Sequence, residues 1–286
     1  LGLVVSNVQV AIDQRLASST GESSIAWMDR ATTLIQLPHG LVAVAISLAV
    51  LPTLSRLSAA GDLEGFRRTL GLGLRLVLVL IMPATLGLLV LAQPITALIF
   101  EHGKFTAFDT FWTAWALRCY LAGLVFAAID WPLNYAFYAR QDTLTPALVG
   151  ILSVGVYLVV ALVLIKPLGM LGLVLADSAK HISHATVMLI LTWRRIGNMS
   201  DQRLGQTAGK ALLASGVMAG LIALALGATT RFSGLVGLPG QLLIVLVPAG
   251  IGALAYLALA SVLRIEEVSR LRVMIQQRLR GGSNLD

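Results

Sequence analysis

Charge is scarce in this sequence, and so is cysteine. Charged residues occupy 12% of its 286 positions, whereas a soluble domain carries about 25%. With 57% hydrophobic residues and a mean hydropathy of +0.85, this scarcity excludes an ordinary soluble domain and indicates a polytopic membrane protein. The single cysteine, Cys119, excludes an internal disulfide.

The ten-residue alternation of polar and apolar residues that is typical of membrane strands is also missing. Apolar runs of about 20 residues recur instead, and each can cross the hydrocarbon core as a helix, which satisfies its own backbone hydrogen bonds. The sequence therefore predicts an all-α, polytopic membrane helix bundle of about eight transmembrane helices. We place them at roughly 1–17, 25–53, 72–100, 108–138, 144–165, 168–193, 208–229 and 240–264.

The motifs of common enzymes are absent as well. The sequence contains no P-loop, nucleophile elbow, His-Glu-x-x-His motif or Gly-rich dinucleotide turn. We therefore predict that the protein is not an enzyme and holds no cofactor. An intramembrane enzyme that uses His181 and His184 stays an alternative.

Positive charge is distributed unevenly between alternate loops. One set of loops holds only Lys104, Lys166 and Arg231. The other set holds thirteen cations: Arg56, Arg67, Arg68, Arg140, Arg194, Arg195, Arg203, Lys210, Arg264, Arg270, Arg272, Arg278 and Arg280. The positive-inside rule places this richer set in the cytoplasm, together with the C-terminus. The net charge of +7 thus reports membrane orientation and predicts no nucleic-acid partner.

Charged residues inside the predicted spans are few, and they are the first candidates for function. Arg75 lies near the cytoplasmic end of its span, where its side chain can snorkel to water. Deeper positions carry four cations and four acids: Arg15, Arg30, Arg118, Lys180, Asp13, Asp29, Asp130 and Asp177. Because an unpaired charge in hydrocarbon costs at least a few kcal/mol, such residues usually face a bundle interior or a water-filled pathway.

The stretch LADSAKHISHATVMLI, residues 175–190, concentrates four ionisable groups. Asp177, Lys180, His181 and His184 follow the spacing i, i+3, i+4 and i+7, which places them on one face of a helix. Asp177 can pair with Lys180 or His181 one turn later. Three interpretations stay open: the wall of a wet functional cavity, a dry polar seam that fixes helix packing, or a metal site at the two histidines.

Two further regions carry local structural signals. QLPHG, residues 36–40, places proline and glycine inside the second span and predicts a kink. Thr106 and Asp109 fit a capping box at a helix start. In RQDTLTP, Thr145 is predicted as an N-cap, with Pro146 at the first helical position.

Several motifs together resemble the MurJ/MviN family. They are EHGKFTAFDT at 101–110, FYARQDTLTP at 137–146, QLPHGLVAVAI at 36–46 and LPTLS at 51–55. This family comprises the lipid II flippases of bacterial peptidoglycan synthesis, within the multidrug/oligosaccharidyl-lipid/polysaccharide exporter superfamily. The resemblance covers most of the chain, is strongest from 25 to 167 and is weak after about 200.

The resemblance implies a fold of fourteen helices, arranged as two six-helix lobes and two final helices that build a lipid groove. The eight predicted spans then correspond to helices seven to fourteen. Residues 1–200 would be the second lobe with its first helix truncated, 201–264 the groove-forming pair, and 265–286 a basic cytoplasmic tail. The first lobe would be a missing partner from the same protein. The start of the chain agrees, because residue 1 already lies inside a span, with no charged flank or cleavage site before it.

Two departures from the family pattern matter. The family has a cavity arginine three residues before the glutamine of Gln-Leu-Pro, where this chain has Thr33; Arg30 lies one turn earlier, about 5 Å along the same face. Some members coordinate sodium with an acid on helix seven, which Asp13 matches, and with polar groups on helices eleven and twelve. The helix-eleven positions here are Tyr157 and Ala161, which are poor ligands. A proton bound on the polar face of the LADSAKHISHATVMLI stretch is therefore an alternative to sodium as the coupling ion.

The resemblance implies a transporter that flips lipid II, a polyprenyl-pyrophosphate-linked peptidoglycan precursor, from the cytoplasmic to the outer leaflet by alternating access. The expected substrate-binding residues are Arg30, Arg118 and Lys180, and a coupling ion, Na+ or H+, is expected at Asp13, Asp177, His181 and His184. The expected location is the bacterial inner membrane, in contact with membrane lipids. Two alternatives stay open: an exporter of another polyprenyl-linked saccharide, and a degenerate membrane scaffold that transports nothing.

Overall fold

The computed structural model describes residues 2–232 and 237–268, and this part of the chain is a bundle of helices without a β-strand. In chain order the helices are α1 (Gly2–Ser18), α2 (Ser24–Pro38), a π-helical segment (His39–Val44), α3 (Ala45–Ala59), α4 (Leu63–Phe100), α5 (Ala107–Tyr138), α6 (Leu144–Leu168), α7 (Met170–Ile196), a 3-10 turn (Ser200–Gln202), α8 (Leu204–Phe232) and α9 (Leu238–Val262). The prediction of an all-α fold is confirmed.

Because α2, the π segment and α3 are continuous, the predicted spans correspond one to one with long helical bodies in the described residues. Six of these bodies are long and apolar enough to cross a membrane: Ser24–Ala59, Leu63–Phe100, Ala107–Tyr138, Leu144–Leu168, Leu204–Arg231 and Leu238–Val262. The other two are α1, with 17 residues, and α7, with 27, and both carry charged side chains in mid-helix. The polytopic bundle is confirmed, with α1 and α7 as its polar members.

The kink that QLPHG predicts appears as the π-helical segment. Proline lacks the N–H that an α-helical ladder needs. Directly after Pro38, six residues adopt π-helical bonding before the α-helix resumes at Ala45. Such π segments inside α-helices occur frequently at functional sites.

The capping box at the start of α5 is confirmed. The carboxylate of Asp109 accepts a hydrogen bond from the backbone N–H of Thr106 at 2.8 Å. The same carboxylate accepts one from the indole N–H of Trp27 at 2.9 Å, which ties the start of α5 to α2. The local helix signal therefore also fixes a contact between helices.

The predicted N-cap at Thr145 is wrong. α6 begins at Leu144, so Thr145 lies inside its first turn. Asp142 supplies the acceptor instead, taking hydrogen bonds from the backbone N–H of Thr145 at 3.0 Å and from its hydroxyl at 2.7 Å. A carboxylate in the preceding loop can accept both bonds, and it outcompetes the threonine hydroxyl as the helix cap.

α5 and α7 form a tightly packed pair at the centre of the bundle. Gly123 permits their close approach, because a Cβ added there would lie 2.7 Å from the Cα of Ser178. The Ser178 hydroxyl donates to the backbone carbonyl of Cys119 at 2.7 Å. The largest fully buried side chains of these two helices are Leu117, Leu121, Leu133, Phe137, Leu173 and Met188.

α6 runs back along α7 through a link of a single residue. Gly169 makes this link with a φ of +55°, a left-handed conformation that glycine adopts without steric cost. Beyond the link, Gly172 lies so close to α6 that an added Cβ would meet the Leu164 carbonyl oxygen at 2.4 Å. α5, α6 and α7 are therefore held as one compact group.

α8 and α9 pack on α4 and form a second hydrophobic cluster with it. Buried members include Val79 of α4, Met218 and Ile222 of α8, and Tyr256 of α9. The Tyr256 hydroxyl donates to the Val79 carbonyl at 2.5 Å, which fixes α9 against α4. α4 is thus shared by both parts of the bundle.

One end of the bundle, which we call the basic end, gathers the arginines of the predicted cytoplasmic loops. Arg195 bonds to Asp142 at 2.6 Å, and Arg140 donates to the carbonyl of Arg195 at 3.2 Å. Arg75 does not snorkel to water as predicted; it pairs with buried Glu267 at 2.6 Å and donates to the carbonyl of Gln202 at 2.6 Å. The segment after α9 therefore lies against α4 and the 3-10 turn.

Candidate functional site

A polar cavity of about 950 Å³, here called the central cavity, lies between α5, α6 and α7. Gln9 of α1 and His39 of the π segment extend its wall. The ionisable and amide side chains that line it are Gln9, His39, Asp130, Asn134, Lys180, His181 and His184. Such a concentration of polar groups at membrane depth is typical of a solute or ion pathway.

Of the four polar residues predicted on one face of α7, three line this wall: Lys180, His181 and His184. The fourth, Asp177, pairs with Lys180 and His181. Lys180 Nζ donates to Asp177 Oδ1 at 2.5 Å, and His181 Nε2 lies 3.6 Å from Asp177 Oδ2. The predicted pairing of Asp177 with Lys180 or His181 is confirmed. The three side chains remain 16% to 32% exposed, so the cluster is not sealed in a dry interface.

The side chain of His184 points toward α5 and contacts an acid on that helix. Its Nδ1 lies 2.9 Å from Asp130 Oδ1, with the two side chains 13% and 10% exposed. The sequence identifies both residues as intramembrane ionisable groups, but no local spacing relates a residue of α5 to one 54 positions later. The pair joins two helices and borders the cavity.

Asp13 of α1 is held by Tyr157 of α6. The buried Tyr157 hydroxyl donates to Asp13 Oδ1 and links the first helix to the group of α6 and α7. The neighbouring Ala161 is fully buried and offers no polar atom. Tyr157, which the family resemblance places at the same expected site as Asp13, therefore positions that acid.

Two further groups on the wall were missed by sequence reasoning. His39 Nε2 lies 3.2 Å from the carbonyl oxygen of Ala127, which anchors the π segment to α5. The side-chain oxygen of Asn134 is buried and, within the described residues, has no hydrogen-bond partner. Asn134 lies one helical turn after Asp130 on α5, and this spacing could have placed it on the same face as that acid.

Two of the three predicted substrate-binding cations lie away from the central cavity. Only Lys180 belongs to its wall. Arg30 is exposed near the start of α2, with its guanidinium carbon 5.5 Å from the centre of the Phe100 ring. Arg118 lies on another side of α5, where its Nε is 3.4 Å from the Leu89 carbonyl oxygen. Lys180 and these two arginines are therefore not gathered at one site in the described part of the chain.

A metal site finds no support in the described part of the chain. No group of three or more His, Cys, Asp or Glu residues is arranged there to hold a metal ion. His181 and His184 instead face different acids, Asp177 and Asp130. The arrangement suits charge compensation and proton exchange rather than coordination.

Apolar helices around a cavity lined with ionisable groups define a polytopic membrane protein with a candidate solute or ion pathway. The chain belongs to the MurJ family, because the model of the family described as lipid II flippase MurJ matches residues 1–242. A Bdellovibrio bacteriovorus protein named "Probable lipid II flippase MurJ" is 31% identical over 272 residues, which cover 95% of this chain and 51% of the relative. A Burkholderia cenocepacia protein named "Lipid II flippase MurJ" is 32% identical over 75% of this chain and 42% of the relative.

Solved structures agree with this assignment. A lipid II flippase MurJ in an inward closed conformation superposes with a TM-score of 0.76 and 27% identity, over 93% of this chain and 52% of that one. An outward-facing multidrug resistance MATE family transporter of the MOP superfamily shares the fold, with a TM-score of 0.58 at 17% identity, over 94% of this chain and 64% of that one. The chain spans about half the length of the curated relatives it matches.

Proposed function

We propose that this chain forms the C-terminal half of a flippase for lipid II, working with a first lobe that supplies the other wall of the pathway. The observation that carries the proposal is the central cavity, whose polar wall lies within the part of the chain that matches the family. The substrate class is a polyprenyl-linked pyrophosphate. Its anionic headgroup needs a polar route through the membrane, while its tail can stay in lipid.

Lys180 lies on the wall of the central cavity and is placed there to meet the pyrophosphate. Its ammonium borders the central cavity and is balanced by Asp177 at 2.5 Å. An incoming phosphate oxygen can replace the carboxylate through a charge-assisted hydrogen bond, which is about twice as strong as a neutral one. The imidazoles of His181 and His184 each add one N–H donor at the same wall. Alternation between two openings of the cavity would then carry the headgroup across.

The lipid tail fits the side of the molecule formed by α8 and α9. An apolar cavity of about 920 Å³ lies between α4, α8 and α9, lined by side chains such as Leu88, Met218, Ala253 and Leu257. This cavity supports the division into a lobe at 1–200 and a groove-forming pair at 201–264. The tail segment at 265–286 lies outside the described residues from 269 onward.

Protons are the coupling ion that the geometry favours. Lys180 balances the charge of Asp177, and Asp13 accepts a hydrogen bond from the Tyr157 hydroxyl. The Asp130–His184 pair places an acid beside an imidazole at the cavity wall, and chains of such residues relay protons in membrane transporters. Sodium remains the competing ion, and replacing sodium by choline in a transport assay separates the two.

We place the protein in the bacterial inner membrane with the basic end in the cytoplasm. The arginines of the predicted cytoplasmic loops lie at the basic end. Cytoplasmic loops of membrane proteins carry an excess of lysine and arginine, which supports this orientation. The C-terminus would then be cytoplasmic, and the short loop at Lys104 would lie outside.

A chimeric flippase tests the function. It joins the first-lobe half of the Bdellovibrio bacteriovorus relative to residues 1–286 of this chain and is expressed in cells depleted of their own lipid II flippase. We expect it to support growth, and we expect Lys180→Met to abolish growth at normal membrane levels. Exposed Lys166→Met is the matched control and should grow normally. Growth with Lys180→Met, or no growth with the parent chimera at normal membrane levels, would contradict the proposal.

A further inference from the structure

A polar cavity of about 590 Å³, here called the basic-end cavity, lies at the basic end of the bundle. It is formed by the first part of α4, the 3-10 turn, the start of α8 and the residues after α9. Four acids and five cations line it, and the cations are Arg68, Arg75, Arg203, Lys210 and Arg264. The lining shares no described residue with the central cavity or with the apolar cavity between α4, α8 and α9. Neither the headgroup nor the tail of a flipped lipid therefore accounts for it.

Arg75 holds the walls of the basic-end cavity together. Its Nε donates to Glu267 Oε1 at 2.6 Å, and its Nη1 donates to the carbonyl oxygen of Gln202 at 2.6 Å. The side chains of Arg75 and Glu267 are 16% and 5% exposed. These bonds tie α4 to the 3-10 turn and to the chain after α9. The charge of Arg75 is thus balanced, and its role is structural.

The other four cations of the lining form no ion pair with a residue that the structure describes. Lys210 lies in the second turn of α8 and is half-buried, whereas Arg68, Arg203 and Arg264 are exposed. The four side chains belong to α4, to the start of α8 and to the chain after α9. Their charges therefore reach one space from several directions, and their N–H donors are available there to an anion.

Two of these arginines hold an uncommon backbone conformation. Arg203 and Arg264 have φ angles of +50° and +51°, and among the described residues only Gln141 joins them as a non-glycine residue with a positive φ. Arg264 directly follows Leu263, the C-cap of α9, at a place where glycine is the usual residue because it adopts this conformation without steric cost. Residues held in such conformations cluster at binding and active sites. The two side chains thus point to a ligand that glycine could not hold.

We propose that the basic-end cavity binds a soluble polyvalent phosphate, that is, the di- or triphosphate group of a small molecule in the solution at the basic end. A guanidinium binds phosphate oxygens through two parallel N–H bonds, and a lysine adds a point charge. Cations that approach from several directions suit a ligand with many charged oxygens better than a planar carboxylate. The volume of about 590 Å³ also lies within the range of small-molecule sites, about 300–1,000 Å³.

The lining favours a soluble ligand over a lipid. Among its described residues only Leu72 and Ile265 are apolar, so acyl chains have little surface to pack on. A phosphate ligand would connect Arg68 on α4 with Lys210 on α8 and would hold the α8–α9 pair on the rest of the bundle. A ligand that binds only the folded chain raises its thermal stability. This binding goes beyond the proposed flippase activity and does not depend on transport.

The test uses the purified 286-residue chain in micelles of a neutral detergent, with inorganic triphosphate as the probe in titration calorimetry. Citrate at matched ionic strength is the polycarboxylate comparison, and phosphatidylglycerol added to the micelles is the lipid comparison. Thermal unfolding is recorded with and without triphosphate, and circular dichroism checks the fold of every variant.

We expect one triphosphate to bind per chain, at least about tenfold more tightly than citrate, and to raise the unfolding temperature. Lys210→Met should weaken binding about tenfold, as the loss of a charge-assisted hydrogen bond predicts, and Lys210→Arg should keep most of it. Arg194→Gln removes a charge at the same end but outside the cavity, and it should leave binding unchanged.

Arg264→Gly separates a ligand contact from a structural role. Glycine relieves the positive φ, so the unfolding temperature of the free chain should stay the same or rise. Binding of triphosphate should nevertheless weaken about tenfold, because the guanidinium is lost. A structural arginine would give the opposite result, with lower stability and unchanged binding.

Four results would overturn the proposal. The first is triphosphate binding no tighter than that of citrate. The second is unchanged binding in folded Lys210→Met or Arg264→Gly. The third is a loss in Arg194→Gln as large as that in Lys210→Met, which would show a diffuse effect of positive charge. The fourth is displacement of triphosphate by phosphatidylglycerol at equal concentration, which would assign the site to a lipid headgroup. None of them bears on growth of the chimeric flippase, so failure here and failure of the proposed function are distinguishable.

Discussion

The imidazole of His184 on α7 and the carboxylate of Asp130 on α5 meet at 2.9 Å at the wall of the central cavity. About two turns away, Gly123 and Ser178 bring the same two helices into backbone contact. The acid–imidazole pair is thus a polar contact inside an otherwise close-packed interface. Its charge state can affect both how α5 and α7 pack and what the cavity attracts.

The Asp130–His184 contact should appear as an energetic coupling. Asp130→Asn and His184→Gln should each lower thermal stability, and the double variant should lose less than the sum of the two. A hydrogen bond with one charged partner predicts a coupling of about 1–3 kcal/mol. The measurement is a double-mutant cycle on the purified chain, with His102→Gln in an exposed loop as the control. Additive losses would mean that the two groups do not interact.

The Asp177–Lys180 pair makes a second prediction, which separates a functional wall from a packing seam. In a sealed interface, removing one charge costs about 3–5 kcal/mol. Here the two side chains are 25% and 16% exposed, so Asp177→Asn should cost clearly less. The variant should stay folded in the chimeric flippase and lose growth support. A large loss of thermal stability that Lys180→Met reverses would instead identify a structural seam.

Contacts within one helix were predictable from the sequence, and contacts between helices were not. The Asp177–Lys180 pair follows from a spacing of three residues, and the Thr106–Asp109 capping box from a local motif. The Asp130–His184 pair depends on how α5 rotates against α7, which no local pattern encodes.

The same reason explains why the sequence alone could not show which cavity Arg118 borders. Its depth in the membrane follows from its position in the span, but the direction of its side chain depends on the packing of α4 and α8 against α5. The predicted N-cap of α6 was wrong for a simpler reason. Both Asp142 and Thr145 are good capping residues, and only the structure shows that the aspartate accepts the bonds.

Acid should loosen the basic end through Asp142. Partial burial opposes its charged form, but hydrogen bonds from Thr145 and the guanidinium of Arg195 prevail and hold the pKa of its carboxyl below the usual value of 3.8. A lowered pKa contributes stability that is present above the unfolded pKa and is lost as pH falls through the folded one. Thermal stability should therefore decline below about pH 4. Asp142→Asn should be less stable at neutral pH and show a weaker decline; an unchanged acid profile would contradict this.

Membrane orientation can be tested with single cysteines on a Cys119→Ala background. The basic end includes Arg67 and Arg194, and the opposite end includes Lys104. In intact cells that express the chimeric flippase, an impermeant thiol reagent should label a cysteine at 104 and spare those at 67 and 194. Lysed cells, in which all three should react, provide the control. Labelling of position 194 from outside would reverse the proposed topology.

Arg30 remains a candidate for contact with the pyrophosphate, although it lies outside the central cavity. Its guanidinium rests 5.5 Å from the centre of the Phe100 ring, a contact worth only about 0.5–1 kcal/mol at an exposed site. Arg30→Ala should therefore leave the membrane level of the chimeric flippase nearly unchanged, so that lost growth would report lost transport. Arg30→Lys should rescue growth only in part, because lysine lacks the planar fork that binds phosphate in a bidentate manner. Phe100→Leu controls for the ring contact and should grow; full growth with alanine at position 30 would remove Arg30 from the substrate path.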